Sequence, residues 1–114
     1  YNNTSGRYNV GVGFQTLLSN TTGDYNVGVG YAALASNTTG AGNTALGAGS
    51  MFANDTGSAN TAVGVASLQN NVAGVNNTAV GHRIEECGAV FIKISLAAVK
   101  GCWLVDIAIW CTNN

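Results

Sequence analysis

Asparagine and glycine recur at a fixed interval of 17 residues through residues 1–81 of this chain. The first asparagine column consists of Asn9, Asn26, Asn43, Asn60 and Asn77. The second asparagine column consists of Asn3, Asn20, Asn37, Asn54 and Asn71. A glycine follows each member of the first column by four residues and each member of the second by three. A period that holds without a slip predicts stacked structural repeats, each of which contacts its neighbours in the stack.

The length and composition of the repeat favour strands over helices. A helical repeat needs about 33 residues, and two glycines in every 17 residues would each cost about 1 kcal/mol inside a helix. In "NTAVG", residues 60–64, Thr61 and Val63 alternate with Ala62, as expected of a short strand. The sequence therefore predicts an all-β fold, a parallel β-solenoid or β-roll. Each 17-residue coil would have two short strands and two turns, with about five coils in residues 1–81.

Periodic apolar and amide side chains predict the interior of this solenoid. The predicted core has two columns, one of Val12, Val29, Leu46, Val63 and Val80 and one of Leu17, Leu34, Met51 and Leu68. Amide side chains that repeat at the strand spacing can hydrogen-bond from copy to copy, so both asparagine columns are predicted to form ladders. A single coil buries too little apolar surface to offset its conformational entropy, so coils must stack to be stable.

Three stretches, "NVGVGYAALASNTTG", "NTALGAGSMFANDTG" and "NTAVGVASLQN", carry a resemblance to known repeats. They resemble the repeats in head domains of trimeric autotransporter adhesins and the related repeats of phage and viral tail fibres. The resemblance covers residues 1–81 only. It implies a parallel β-roll, often a trimer around a common axis, that is displayed outside a cell or virion and used for attachment. It implies no catalytic residue.

Residues 82–114 lack the repeat and form a second region that is richer in hydrophobic residues. We interpret this segment as a cap over the last coil or as a surface through which subunits assemble, with a sequence artefact as a third explanation. The stretch from Ala89 to Cys111 is long enough to raise a membrane span. Lys93, Lys100 and Asp106 interrupt this stretch, and each would cost about 2.5–3.5 kcal/mol near a bilayer centre, so a span is disfavoured.

The cysteines and charged residues predict no catalytic, cofactor or metal site. Cys87, Cys102 and Cys111 lack the close pairing of a zinc site, so we expect one disulfide and one free or intermolecular thiol, or three reduced cysteines. His82, Glu85 and Glu86 form a small cluster that we interpret as a solvated edge. With four Lys or Arg and five Asp or Glu in 114 residues, the chain lacks the positive charge that binds nucleic acid.

Several asparagines begin an N-x-[ST] sequon, the acceptor sequence for N-linked glycans. The candidate glycosylation sites are Asn3, Asn20, Asn37, Asn54 and Asn76. Coils about 4.8 Å apart leave little room for a sugar on every coil, so full occupancy is disfavoured and the asparagines are interpreted as ladder residues first.

These observations predict a non-enzymatic extracellular protein, a β-solenoid segment of a fibre or adhesin at a cell or virion surface. The expected partners are copies of the same chain, as a trimer or a filament, and a host-surface receptor or glycan. One alternative is a self-assembling filament whose subunits join end to end through residues 82–114. A second alternative is an ice- or glycan-binding solenoid, because Thr44, Thr61 and Thr78 fall at one position of the repeat.

Overall fold

The computed structural model describes residues 2–83, and these residues form a parallel β-solenoid with 17-residue coils. Its strands are β1 (Val10–Val12), β2 (Val27–Val29), β3 (Thr44–Leu46), β4 (Thr61–Val63) and β5 (Thr78–Val80). We number the coils one to five by the strand that each contains. Residues 2–83 contain no helix. The predicted fold class is confirmed.

The five strands form one sheet in the order β1-β2-β3-β4-β5, and all neighbouring pairs are parallel. In every pair, each residue lies opposite the residue one repeat later, as Val10 lies opposite Val27 and Thr61 opposite Thr78. Residues at the same position of the repeat therefore lie above one another along the stack. Each such set of residues is a column.

The second strand predicted for each coil is absent from the described residues, and an arc of turns takes its place. In coil one this arc contains Gln15 and Leu17, whose φ angles are +59° and +52°. Alternate residues in the left-handed region cannot form an extended strand. The arc still bonds to the next coil, because the Leu17 N–H donates to the Ala33 carbonyl at 3.1 Å. Coils are thus joined by hydrogen bonds on both sides of the solenoid.

The repeated "SNTTG" forms a corner at which several backbone groups meet. In coil two the N–H groups of Thr21, Thr22 and Gly23 all donate to the Thr38 carbonyl, at 2.9, 3.1 and 3.3 Å. The Thr21 hydroxyl donates to the same oxygen at 3.1 Å. The same backbone bonds form where Asp55 and Val72 occupy this position, so the backbone joins the corners and the threonine hydroxyl adds a further bond.

The interior contains only part of the predicted core. The column of Leu17, Leu34, Met51 and Leu68 is buried, as predicted. The other column is not: Val12 and Val80 are 57% and 67% exposed, and Val29 and Leu46 are exposed as well. Val63 is half-buried. The prediction that these five residues belong to the core is wrong.

The inward strand column explains this error. It consists of Gly11, Gly28, Ala45, Ala62 and Ala79. The opposite arc lies so close that a Cβ on Gly28 would be 2.6 Å from Cγ2 of Thr16 and 3.7 Å from Cβ of Ala33. Gly28 therefore has no space for a side chain, and the other coils carry only glycine or alanine at this position. The larger residues on either side of it therefore face outward.

Candidate functional site: an amide-lined interior and an outward apolar face

The first asparagine column forms a ladder in which the side chains of coils one to four each bond to the next coil. The Oδ1 atom of Asn26 accepts the backbone N–H of Asn43 at 3.0 Å, and Oδ1 of Asn43 accepts that of Asn60 at 3.1 Å. The Nδ2 group of Asn43 donates to the Gly57 carbonyl at 2.8 Å. Both ends of the amide therefore hold the neighbouring coils in register.

The second asparagine column forms a parallel ladder. Nδ2 of Asn37 donates to Oδ1 of Asn20 at 2.8 Å, and Nδ2 of Asn54 donates to Oδ1 of Asn37 at 2.8 Å. Each Nδ2 in coils two to four also donates to the glycine carbonyl three residues later, at 2.9 Å for both Asn37 and Asn54. The predicted asparagine ladder is confirmed in both columns.

A glycine lies between the two ladders in every coil because the amides leave no space there. A Cβ on Gly57 would be 2.6 Å from the Gly74 carbonyl oxygen and 3.2 Å from Nδ2 of Asn60. Within residues 2–83, every buried side-chain nitrogen or oxygen atom has a hydrogen-bond partner. The polar interior is therefore satisfied by the chain itself.

The ladder also corrects the prediction of glycosylation sites. Asn20, Asn37 and Asn54 are buried, and their Nδ2 groups donate within the ladder, so a glycan on any of them is incompatible with the fold. The prediction is wrong at these three positions. Asn3 and Asn76 are exposed, and glycosylation there stays a prediction.

The outward side of the sheet carries two columns of β-branched and apolar residues. The first outward column is Val10, Val27, Thr44, Thr61 and Thr78, and the second outward column is Val12, Val29, Leu46, Val63 and Val80. All ten residues are exposed or half-buried. We call these two columns the outward face.

Two further columns border the outward face. The leading flank, two residues before each strand, is Tyr8, Tyr25, Gly42, Ala59 and Asn76; the trailing flank, two residues after each strand, is Phe14, Tyr31, Ala48, Val65 and His82. The rings of Tyr8 and Tyr25 stack with centroids 4.9 Å apart, and those of Phe14 and Tyr31 stack at 6.0 Å. The most apolar end of the face is therefore at coils one and two.

Sequence reasoning missed the outward face, although one signal for it was present. The middle residue of the strand is glycine or alanine in all five coils, whereas its neighbours vary in size and polarity. A position that accepts only small residues lies in a crowded interior. This difference identifies the inward column without a structure.

The two aspartates of the described region accept hydrogen bonds from neighbouring coils. Oδ1 of Asp24 accepts the backbone N–H of Arg7 at 2.6 Å, and the carboxylate of Asp55 accepts the Thr38 hydroxyl. In residues 2–83 no three His, Cys, Asp or Glu side chains are grouped so that they could hold a metal ion.

Several predicted features fall outside the described residues. These are the Ala89–Cys111 stretch, Glu85, Glu86 and the cysteines Cys87, Cys102 and Cys111. The boundary predicted after residue 81 lies close to the end of the described region. The solenoid pattern continues two residues beyond that boundary, because the Arg83 N–H donates to the Val65 carbonyl at 2.8 Å.

A search of residues 2–83 for a helix that is long and apolar enough to cross a membrane finds none. No protein-family model matches this chain, nor does any curated protein or solved structure.

Proposed function

We propose that this protein is a non-enzymatic structural module, a segment of an extracellular fibre or adhesin that assembles with copies of itself. The observation that carries the proposal is the outward face, a continuous set of mostly apolar, exposed or half-buried side chains on a stack with a satisfied polar interior. Fibres need this combination, because the interior fixes the shape of each subunit and the exterior is left to join subunits.

The size of the outward face supports assembly. Five strands at about 4.8 Å extend the face about 20 Å along the stack. Monomeric proteins rarely expose contiguous apolar patches of more than a few hundred Å², and larger patches mark interaction surfaces. The aromatic flanks widen the patch at coils one and two. A second copy of this chain offers a matching apolar surface.

The ladders support a mechanical role. Asparagine amides of both ladders bond along the stack, and so does each strand, so hydrogen bonds run parallel to the solenoid axis in several columns at once. Pulling the coils apart would break these bonds together. A rigid rod of this kind suits attachment at a cell or virion surface, to a receptor or a glycan, as the resemblance to adhesin heads and tail fibres implies.

The test measures the oligomeric state of the full chain by sedimentation equilibrium. We expect the unmodified chain to form a defined oligomer and Leu46→Asp to be monomeric with an unchanged far-UV circular dichroism spectrum. Thr39→Asp, an exposed residue outside the outward face, is the matched control and should leave the oligomer intact. A monomeric unmodified chain at high micromolar concentration contradicts the proposal.

An end-to-end filament is the alternative that the stacking pattern favours. Each described coil bonds to its neighbours through the same 17-residue step, so the pattern contains no intrinsic stop. Negative-stain electron microscopy distinguishes the two assemblies. Long uniform filaments of the chain alone support the alternative, and short discrete rods support the fibre segment.

Ice binding has one supporting observation. Thr44, Thr61 and Thr78 lie in register on the outward side of the sheet, as a threonine column in contact with ice would. Val10 and Val27 replace threonine in the first two coils, and the second outward column is apolar throughout. A thermal-hysteresis assay tests this alternative, and the absence of activity removes it.

A further inference from the structure

Two tyrosines occupy the same position of coils one and two on the leading flank. The ring centroids of Tyr8 and Tyr25 are 4.9 Å apart, and the ring planes differ by 18°. The two side chains are 69% and 64% exposed. The pair therefore combines close contact between two phenol rings with access from solvent.

Hydrogen bonds between coils one and two fix the positions of this pair. The Tyr25 N–H donates to the Arg7 carbonyl at 3.0 Å. On one side of the pair, the Arg7 N–H donates to Oδ1 of Asp24 at 2.6 Å. On the other side, the Asn26 N–H donates to Oδ1 of Asn9 at 2.8 Å. Both tyrosines also have a left-handed backbone, with φ angles of +59° and +57°, so their side chains leave the two coils in the same direction.

The aromatic stack on the trailing flank lacks one of the two phenols. Phe14 lies on Tyr31 with ring centroids 6.0 Å apart. A phenylalanine ring has no O–H group, so it cannot lose a hydrogen atom as tyrosine does. Within residues 2–83, a reaction between two stacked phenols is therefore possible only on the leading flank.

We propose that Tyr8 and Tyr25 are a site of oxidative crosslinking, at which a haem peroxidase with hydrogen peroxide joins the two rings as dityrosine. Each phenol loses one electron and its hydroxyl proton and becomes a phenoxyl radical. The radicals form a carbon–carbon bond between one ortho carbon of each ring. The two ortho hydrogens leave as protons while the two oxygens regain protons. Hydrogen peroxide accepts the two electrons and the two hydroxyl protons and becomes two molecules of water.

The stack supplies the proximity that this coupling needs. Two groups held in contact by one chain react at an effective concentration far above that of separate molecules. Exposed side chains change rotamer within picoseconds to nanoseconds, so the ortho carbons can meet without movement of the backbone. Coupling within one chain should therefore be faster than coupling between chains in dilute solution. The site needs a single copy of the chain and does not depend on the proposed assembly.

The crosslink would join coil one to coil two by a covalent bond. Tyr8 and Tyr25 are separated by one repeat, so the bond closes a short loop in the unfolded chain. Such a constraint stabilises the folded state, as a disulfide over a similar loop does. The crosslinked chain should unfold at a midpoint temperature about 10 °C higher than the untreated chain.

Peroxidase treatment of the full chain in dilute solution tests the proposal. Dithiothreitol added before analysis opens any disulfide, so a remaining loss of two hydrogen atoms from the intact mass indicates dityrosine. Cleavage after Arg7 and before Asp24 and Asp55 separates residues 8–23 from residues 24–54 in an unlinked chain. We expect these two fragments to stay joined and to show the blue fluorescence of dityrosine. An unchanged intact mass, or linkage only between chains, overturns the proposal.

Three single variants identify the rings that react. Tyr8→Phe and Tyr25→Phe should each abolish the joined fragments, and Tyr8→Phe should also abolish the rise in the unfolding midpoint. Tyr31→Phe should leave the yield unchanged. All three side chains are exposed, so circular dichroism should show an unchanged fold. Joined fragments in Tyr25→Phe would mean that Tyr31 is the partner, which contradicts the proposal.

The matched control keeps the number of tyrosines and changes only their spacing. Tyr25→Phe with Gly42→Tyr places the second phenol two coils away from Tyr8, at about 10 Å along the stack. A Cβ on Gly42 has space, because its nearest neighbouring atom would be 3.9 Å away. This double variant should lose the joined fragments. If it couples as well as the unmodified chain does, the stack does not direct the reaction and the inference is overturned.

Discussion

The interior and the outward face of this solenoid follow different rules along the same stack. Both asparagine columns are unchanged through all five coils, and the inward strand column is always glycine or alanine. The first outward column changes from valine to threonine between coils two and three. The leading flank changes from Tyr25 in coil two to Gly42 in coil three. The residue type is therefore repeated strictly only at positions that contact or hydrogen-bond to the neighbouring coil inside the solenoid.

Hydrogen-bond geometry accounts for the difference. An interior amide needs an identical amide at the strand spacing, because each donates and accepts along the column. A single unlike residue removes hydrogen bonds to both neighbouring coils, and each buried group left without a partner costs about 1–3 kcal/mol. Outward side chains need only neighbours of compatible size. This freedom leaves the outside available for contacts with other molecules.

Breaking the ladder should have the largest effect on stability. Asn43→Ala removes the acceptor of the Asn60 N–H, and it also removes the Nδ2 donor to the Gly57 carbonyl and to Oδ1 of Asn26. We expect the free energy of unfolding to fall by about 4 kcal/mol in urea denaturation. Asn70→Ala, an exposed asparagine outside both ladders, should change it by less than about 0.5 kcal/mol. Equal effects of the two variants would contradict a structural ladder.

Two substitutions in coil three compare the inner and outer apolar residues directly. Met51 is fully buried, whereas Leu46 is 38% exposed. Met51→Ala should lower the free energy of unfolding by about 3 kcal/mol, through lost burial and a cavity. Leu46→Ala should lower it by less than about 1 kcal/mol when measured in dilute solution. If Leu46→Ala has the larger effect, the second outward column faces the core.

The smallest effect is expected at the leading flank, where the backbone is left-handed. Ala59 has a φ of +56°, which costs a residue with a Cβ about 1–2 kcal/mol, and Gly42 occupies the same column with a φ of +67°. Ala59→Gly should raise the free energy of unfolding by about 0.5 kcal/mol, after the entropy cost of glycine.

Ala73 provides the control for this prediction. Like Ala59 it is an exposed alanine of the solenoid, but its φ angle is not positive. Ala73→Gly should lower the free energy of unfolding by about 0.5–1 kcal/mol. Thermal unfolding curves of both variants at one protein concentration show whether each substitution raises or lowers stability. A loss of stability in both variants would mean that the left-handed backbone at Ala59 carries no strain.

The stacking of this fold could be predicted from sequence because stacking leaves a signature in the chain. The 17-residue interval sets the register of every strand pair, and asparagine at that interval sets the ladders. The column of Leu17 and its equivalents was also predicted correctly. Each of these features needs the same residue type in successive coils, so each appears directly as periodicity.

The faces of the strand could not be predicted in the same way. Alternation in Thr61, Ala62 and Val63 distinguishes two faces of the strand but does not show which face is buried. Hydrophobicity alone predicts that the face with Val63 is buried. The narrow interior reverses that choice, and its width depends on the opposite arc. The arc in turn depends on residues with a left-handed backbone, such as Leu34 with a φ of +53°. A leucine side chain gives no sign in the sequence that its backbone is left-handed.

Because successive coils are equivalent, the length of this solenoid is set by the number of repeats. Removing residues 36–52, one repeat, would bring together two corners of the same shape, and the flanking coils could bond as their present neighbours do. Duplicating a repeat would extend the rod by about 4.8 Å with no change in cross-section. Unequal recombination between such repeats can therefore adjust the length of the solenoid in fixed steps, with each step producing a foldable chain.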